Sequence, residues 1–352
     1  MMRKKNFVYV FVALVVIASM LAACQPPAPT AQPAAAEPTK APEKPVEESS
    51  PAAPEKAYKI GVSAQLVAHD WSIKAWEGIQ AQAKEMGIEV TQLSAGQDPD
   101  KQLADIESLI EQDVDAIIIL LAETGVLDQA IQKTTAAGIP VVFVDGGYKA
   151  DGVIQNISSD NCEFGRQAAE FIVKRAGEDA QVVLQTYPVL EATNLRSECA
   201  KEYWKEKYPN VKILEEQPIL GPEWTADAQA HAEQMITKYG DALDAFGVCS
   251  DLFGIGSSAA VDAMGRSDQI MVTGVDGLDQ VIEKIADPKS SYQLTFLQDS
   301  GAMGRAAVES LKKYLDAGCT IPMSDSCKSV VEPALYVPGI MITKDNAKEY
   351  VK

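Results

Sequence analysis

Aspartates, amides, one arginine and two indoles recur in this sequence around the ends of apolar runs. After KIGVSA come Gln65, His69, Asp70 and Trp71, and after VVFV comes Asp145. The second half offers Thr186, Arg196, Ser250 with Asp251, Asp276 and Gln298, while Trp224 precedes a helical stretch. Carboxylates accept hydrogen bonds, primary amides donate and accept, and a guanidinium presents a planar fork of donors. Flanked by indole faces, this set suits a ligand covered with hydroxyls, of which a sugar is the simplest. Metal and hydrolytic chemistry fit less well. His69 and His231 are the two histidines of the chain, His231 reads as a structural helix residue, and HExxH, CxxC and EF-hand spacings are absent. No metal and no cofactor are therefore expected.

The stretch CSDLFGIGSSA, residues 249–259, offers a rival chemistry. Gly254, Gly256 and Ala259 are spaced like a dinucleotide fingerprint, and Asp276 follows where such a motif wants a ribose-binding acid. The fingerprint needs its first glycine in the tight turn directly after the strand, however, and Cys249–Phe253 intervene before Gly254. An oxidoreductase is thus the weaker reading, and the glycines are expected to let a helix pack closely on its sheet. A cysteine hydrolase built on Cys249 lacks a histidine with a paired acid at motif spacing.

The elements that must position these residues are legible in the hydrophobic pattern. From Tyr58 onward, apolar runs without polar alternation (YKIGVSA, DAIIILLA, IPVVFVDGG) are separated by stretches with helical periodicity. Asp98 followed by Pro99 marks a helix start. Continuous apolar strands between amphipathic helices imply parallel sheets covered on both faces. The pattern breaks near Ser158–Asn161 and resumes with expected helices over 163–176, 193–207, 225–239 and 254–264, and a last one from about Asp299. In an open parallel sheet, ligands sit at the carboxyl ends of the strands, which is where the polar set lies.

The 352-residue chain has room for two domains ahead of which stands an export signal. Arg3, Lys4 and Lys5 precede an uncharged apolar run, Phe7–Ala23, ending in LAAC. This ending resembles a bacterial lipobox, which implies cleavage after residue 23 and lipidation of Cys24. Residues 25–56 are rich in Pro, Ala and Glu with Val46 as the one large apolar residue, a composition that cannot offset its ordering entropy. Such a tether would reach on the order of 100 Å if fully extended. The net charge of −19, carried by a chain whose signal is basic, argues against nucleic acid and against direct adhesion to anionic lipid. Six cysteines in an exported chain can oxidise. CTIPMSDSC closes a short loop, so Cys319–Cys327 is the expected disulfide, and pairing among Cys162, Cys199 and Cys249 stays open.

The chain from about Tyr58 resembles the type I sugar-binding proteins of bacterial ABC transporters, the ribose-binding-protein relatives. EGIQAQAKEMGIEV, VDAIIIL, AAGIPVVFVD, SSDN, SDLFGIGSSAAVDAMG, VTGVDG and LQDSGAMGRAAVESL occur in the family's order. The resemblance implies the two-lobe α/β periplasmic-binding-protein type I fold, each lobe a parallel sheet covered by helices, with the ligand in the cleft between lobes. The lobes are expected at 57–159 plus 299–337 and at 160–298 plus 338–352. Family contacts fall on Asp145, Arg196, Trp224, Ser250 (where the family has asparagine), Asp251, Asp276 and Gln298, and more loosely on Gln65, His69, Asp70 and Trp71. Gly146 stands where ribose binders often carry arginine, and Trp71 is the nearest aromatic to their missing phenylalanine pair. These departures count against ribose itself, and a monosaccharide or polyol is implied.

The expected protein is therefore not an enzyme. It is a monomeric lipoprotein on the outer face of the cell membrane, held there by its lipid alone, that delivers ligand to ABC permease subunits. A sugar sensor acting on a signalling receptor is the alternative. Arg196→Ala is expected to abolish binding and spare the fold.

Overall fold

A computed structural model describes residues 57–147 and 150–352; the expected signal, Cys24 and the tether lie outside the described residues. The elements run β1 (Lys59–Ala64), α1 (Asp70–Met86), β2 (Glu89–Ser94), α2 (Pro99–Glu111), β3 (Ala116–Leu120), α3 (Thr124–Ala136), β4 (Val141–Val144) and β5 (Val153–Ser158). There follow α4 (Asn161–Ala176), β6 (Gln181–Thr186), α5 (Glu191–Lys207), β7 (Lys212–Pro218), α6 (Trp224–Tyr239), β8 (Ala245–Val248), α7 (Asp251–Ala263) and β9 (Met271–Thr273). The last are α8 (Asp279–Ala286), β10 (Tyr292–Leu297), α9 (Ser300–Asp316), β11 (Ala334–Tyr336) and β12 (Ile340–Thr343).

These strands form two six-stranded sheets, ordered β11-β5-β4-β3-β1-β2 and β12-β10-β9-β8-β6-β7. Every neighbouring pair is parallel except the edge pair β10–β12. The central strands explain this arrangement. Ala116–Leu120 and Val141–Val144 are buried throughout, as strands covered on both faces must be. In each sheet the strand order reverses direction once, between β1 and β3 and between β6 and β8. Such reversals open crevices at the strand ends, where open α/β sheets bind ligands.

The chain passes from the first sheet to the second after β5, and its last two strands divide between them, β11 to the first and β12 to the second. After β10, α9 returns to the first half and packs on α1, where Gly304 lies against the Ala75 carbonyl. Among the described residues two disulfides tie the fold, Cys319–Cys327 just beyond α9 and Cys162–Cys199 between α4 and α5. The buried Cys249 is a free thiol.

Helix α7 starts three residues before the expected Gly254. Ser250 caps it by accepting a hydrogen bond from the Leu252 N–H, so the turn needs no glycine. Both glycines of the fingerprint-like spacing therefore lie inside the helix, where close packing requires them. A methyl at Gly256 would collide with the Thr225 carbonyl of α6, and one at Gly254 would displace the Tyr292 hydroxyl. Helix α8, absent from the sequence reading, is an eight-residue amphipathic turn burying Val281, Ile282 and Ile285.

Candidate functional site

The ends of β1, β3, β4, β6 and β8 converge on one cavity, together with the starts of α1, α5, α6 and α7. It offers about 80 Å³ to the centre of a water molecule, where one water needs roughly 10–15 Å³. Gln65, His69, Trp71, Asp145, Arg196, Trp224, Ser250 and Asp276 all line it. They come from strand ends of both sheets and from the N-terminal turns of α1, α5 and α6.

Arg196 organises the polar side. It is 5% exposed and reaches from α5 to three elements. Its Nε donates to the Asn161 Oδ1 at 2.8 Å, and its Nη1 donates to the Cys249 carbonyl at 2.7 Å and to Asp276 Oδ1 at 3.1 Å. Its Nη2 lies 3.9 Å from Asp145 Oδ2. One buried cation thus stands between two buried carboxylates, and Asn161 also donates to Asp145 Oδ1 at 3.1 Å. Burial pushes the Asp145 carboxyl above its ordinary range; the Arg196 charge and the Asn161 bond pull it back, and the Asp276 charge adds to the rise.

Asp276 is the better satisfied of the two. Its Oδ1 accepts from Arg196 and from Gln298 Nε2, the latter at 3.1 Å. Its Oδ2 accepts from the Ser250 hydroxyl at 2.8 Å and the Asp251 N–H at 3.2 Å. The backbone here is held in uncommon conformations. Asp145 has φ +59°, Asp276 +134° and Leu121 +56°, all at strand ends and all lining the cavity. Non-glycine residues at such φ persist only where their surroundings over-determine them, and they cluster at ligand sites.

Three of the expected contacts are placed elsewhere. Asp251 is fully buried behind the cavity. Its carboxylate accepts from Tyr292 Oη at 2.7 Å, Thr295 Oγ1 at 2.8 Å, and the Gly277 and Leu278 N–H groups at 2.9 and 3.0 Å. With its lone pairs spent on β10 and on the turn after Asp276, it holds that turn rather than a ligand. Burial first, and the Asp276 charge second, push its carboxyl upward. Gln298 sits outside the lining and acts on Asp276 through its amide. Asp70, the first residue of α1, is exposed and is not part of the cavity lining.

The aromatic side shows polar atoms awaiting partners. His69 Nε2, Trp71 Nε1 and Trp224 Nε1 are buried and make no hydrogen bond within the protein. The lining residue Ser72 adds an unpartnered Oγ; buried polar groups are ordinarily satisfied, so four such atoms in one cavity lining mark places for ligand or water oxygens. Tyr187 packs edge-on against Trp224, with centroids 5.7 Å apart, and against Phe253 at 6.4 Å. The sequence reading missed Tyr187, Leu121, Leu190, Thr193 and Asn161. Tyr187 and Leu121 directly follow strands β6 and β3, so the strand-end rule would have found both.

The enzyme alternatives find no support in this geometry. Burial pushes the Cys249 thiol up to about 12, protonated at neutral pH and poor as a nucleophile. Arg196→Ala, expected from sequence to spare the fold, strips the direct cation from the buried Asp276 carboxylate and should therefore destabilise the fold as well as weaken binding. Among the described residues, no cluster of three or more His, Cys, Asp or Glu is placed to hold a metal ion. No described helix is long and apolar enough to cross a membrane.

A family model for a periplasmic binding protein domain matches residues 60–318. The ribose import binding protein of Bacillus subtilis is 27% identical over 264 residues, 74% of this chain and 82% of that protein. The xylitol-binding protein of Mycolicibacterium smegmatis is 24% identical, over 77% of this chain and 73% of that protein. Among solved structures, an ABC sugar transporter subunit from Rhodobacter sphaeroides is similar at a TM-score of 0.75 and 30% identity, covering 82% of this chain and 99% of its own. An ABC transporter solute binding protein from Agrobacterium vitis with bound allitol reaches 0.77 at 27% identity, covering 84% and 98%. The two-lobe fold, the cavity at the facing strand ends and these likenesses agree: the chain belongs to the periplasmic binding protein family, as a type I sugar-binding member of the ABC-transporter solute-binding proteins, which carry solutes and are not enzymes.

Proposed function

We propose that this chain captures a monosaccharide or polyol in the cavity between its sheets and delivers it to the permease of an ABC importer. The observation that carries the reading is the buried Asp145–Arg196–Asp276 group in the same lining as three unpartnered ring nitrogens. Asp145 would accept from ligand hydroxyls and Arg196 would donate to vicinal oxygens. Each such charge-assisted bond contributes about 1.5–3 kcal/mol. A few of them, with stacking on Trp71 and Trp224, reach the roughly −8 kcal/mol of micromolar binding. The proteins similar to this one bind ribose, xylitol and allitol by name, which supports a hydroxyl-rich ligand.

In this reading the lobes are 57–159 plus 299–337 and 160–298 plus 338–352, closing by a hinge to form the surface the permease reads. The protein works as a monomer outside the cytoplasm, held to the membrane by a lipid on Cys24 and the tether behind it. Ser250, Asp276, Gln65, His69 and Trp71 complete the ligand set. A thermal-shift screen over pentoses, hexoses, inositols and linear polyols tests it: at least one should raise Tm in a concentration-dependent way. No response to any carbohydrate, with a response to dinucleotides, overturns the proposal.

A further inference from the structure

The cavity is not polar all round. Leu66, Leu121, Leu190 and Leu252 line it, one from each of four separate segments: the loops after β1 and β3 in the first sheet, the N-cap of α5, and the first turn of α7. Leu66, Leu121 and Leu252 are half-buried. Three of the leucines are continuous with the aromatic cluster. Leu121 and Leu252 pack with Tyr187, Leu190, Trp224 and Phe253 in one apolar group, although Leu121 belongs to the other sheet. Leu121 is also held in a left-handed conformation, its carbonyl fixed by Gln102 Nε2 at 2.8 Å. Strain of this kind needs its surroundings to hold it, and here it presents a leucine to the ligand space.

Asp145, Asn161, Ser250, Asp276 and Gln298 are gathered around Arg196 in one bonded group, while the ring nitrogens of His69, Trp71 and Trp224 stay unpartnered. The lining thus sets hydrogen-bonding groups beside four leucines whose side chains can offer no hydrogen bond. A ligand hydroxylated on every carbon would press hydroxyls against these leucines. There they would lose water without gaining a partner, which opposes binding.

We infer that this cleft selects a sugar or polyol with its hydroxyls on one edge and an apolar substituent on the other, such as a deoxy, alkyl or alkylthio sugar. The inference rests on the sugar-or-polyol reading above and narrows it. The hydroxylated edge meets Asp145, Arg196 and Asp276, and the substituent lies among the four leucines. Each buried methylene-sized group strengthens binding by about fourfold, so a two-atom substituent gives about tenfold or more over the parent sugar.

Calorimetric titration with matched pairs tests this: ribose against 5-methylthioribose, galactose against 6-deoxygalactose, glucose against methyl glucoside, with myo-inositol and xylitol as fully hydroxylated references. In the pair that binds, the substituted member should be tighter, by about tenfold for methylthio. The double variant Leu66→Gln, Leu252→Gln, checked for folding by circular dichroism, should collapse that ratio toward one. If the leucines serve only to close the lobes, both members weaken together and the ratio survives, which overturns the inference. A parent sugar or a fully hydroxylated polyol binding as tightly as any substituted ligand also overturns it, while leaving the sugar-or-polyol reading intact. Binding of no carbohydrate at all overturns both.

Discussion

Asp145 and Asp276 look equivalent in sequence, each an acid before a glycine at a strand end, yet the structure predicts opposite consequences for neutralising them. Asp276 accepts four hydrogen bonds and sits 3.1 Å from the Arg196 Nη1. Asp276→Asn replaces one acceptor oxygen by an NH2 group facing donors and leaves Arg196 with its more distant partner. Breaking a buried ion pair from one side costs about 3–5 kcal/mol, which for a domain of this size lowers Tm by roughly 10 °C. Asp145, by contrast, accepts from Asn161 and stands 3.9 Å from Arg196. Burial is the dominant influence on it and disfavours its charge. Asp145→Asn relieves that cost while losing a weak Coulombic attraction, so stability should change by no more than about 1 kcal/mol. Ligand affinity should still fall by about 1.5–3 kcal/mol, roughly 10- to 150-fold, because a charged acceptor is lost. Urea unfolding followed by circular dichroism gives the first quantity, and calorimetric titration of the bound carbohydrate gives the second.

The pH dependence adds a check on the same pair. A carboxyl with a raised native pKa binds its proton more readily when folded than when unfolded. Its contribution therefore makes unfolding free energy fall as pH rises from the ordinary carboxylate range through the raised native value. Asp145→Asn should remove that slope from the urea midpoint measured against pH. Equal destabilisation by the two substitutions, or an unaltered slope in Asp145→Asn, would refute the assignment of Asp145 as a charge held for the ligand.

Two further outcomes follow from the remaining contacts. Asp251→Asn should lower stability by about 3 kcal/mol or more and weaken binding only through the disturbed Asp276 turn, since its carboxylate serves Tyr292, Thr295 and two backbone N–H groups; thermal melts and titrations on the same sample separate the effects. Replacing both cysteines of a bridge by serine should cost about 4 kcal/mol for Cys162–Cys199, which spans 37 residues, and about 2.5 kcal/mol for Cys319–Cys327, which spans 8. The first should also loosen Arg196, because α4 and α5 carry Asn161 and Arg196 respectively, so its ligand affinity should fall where the second leaves affinity in place.

The parallel sheets and most of the cavity lining were legible in the amino-acid order because both depend on local pattern. An unbroken apolar run must be a strand buried on two faces, and the residue just beyond it must stand at the rim where strand order reverses. Asp145, Ser250, Asp276 and Gln65 follow from that rule alone. The tertiary structure decided which way each side chain turns. Asp251 follows the same rule as Ser250, but Tyr292 and Thr295, some forty residues on, bring hydroxyls beneath it and draw its carboxylate away from the cavity. Asn161 became the link between Asp145 and Arg196 because the first helix of the second half starts against the end of β4. Pairing of Cys162 with Cys199, and the meeting of leucines from both sheets, likewise depend on α4 lying beside α5 and on one lobe facing the other. Periodicity reports how a segment is buried, whereas a hydrogen-bond partner or a shared cavity wall is fixed by distances between segments that no local pattern encodes.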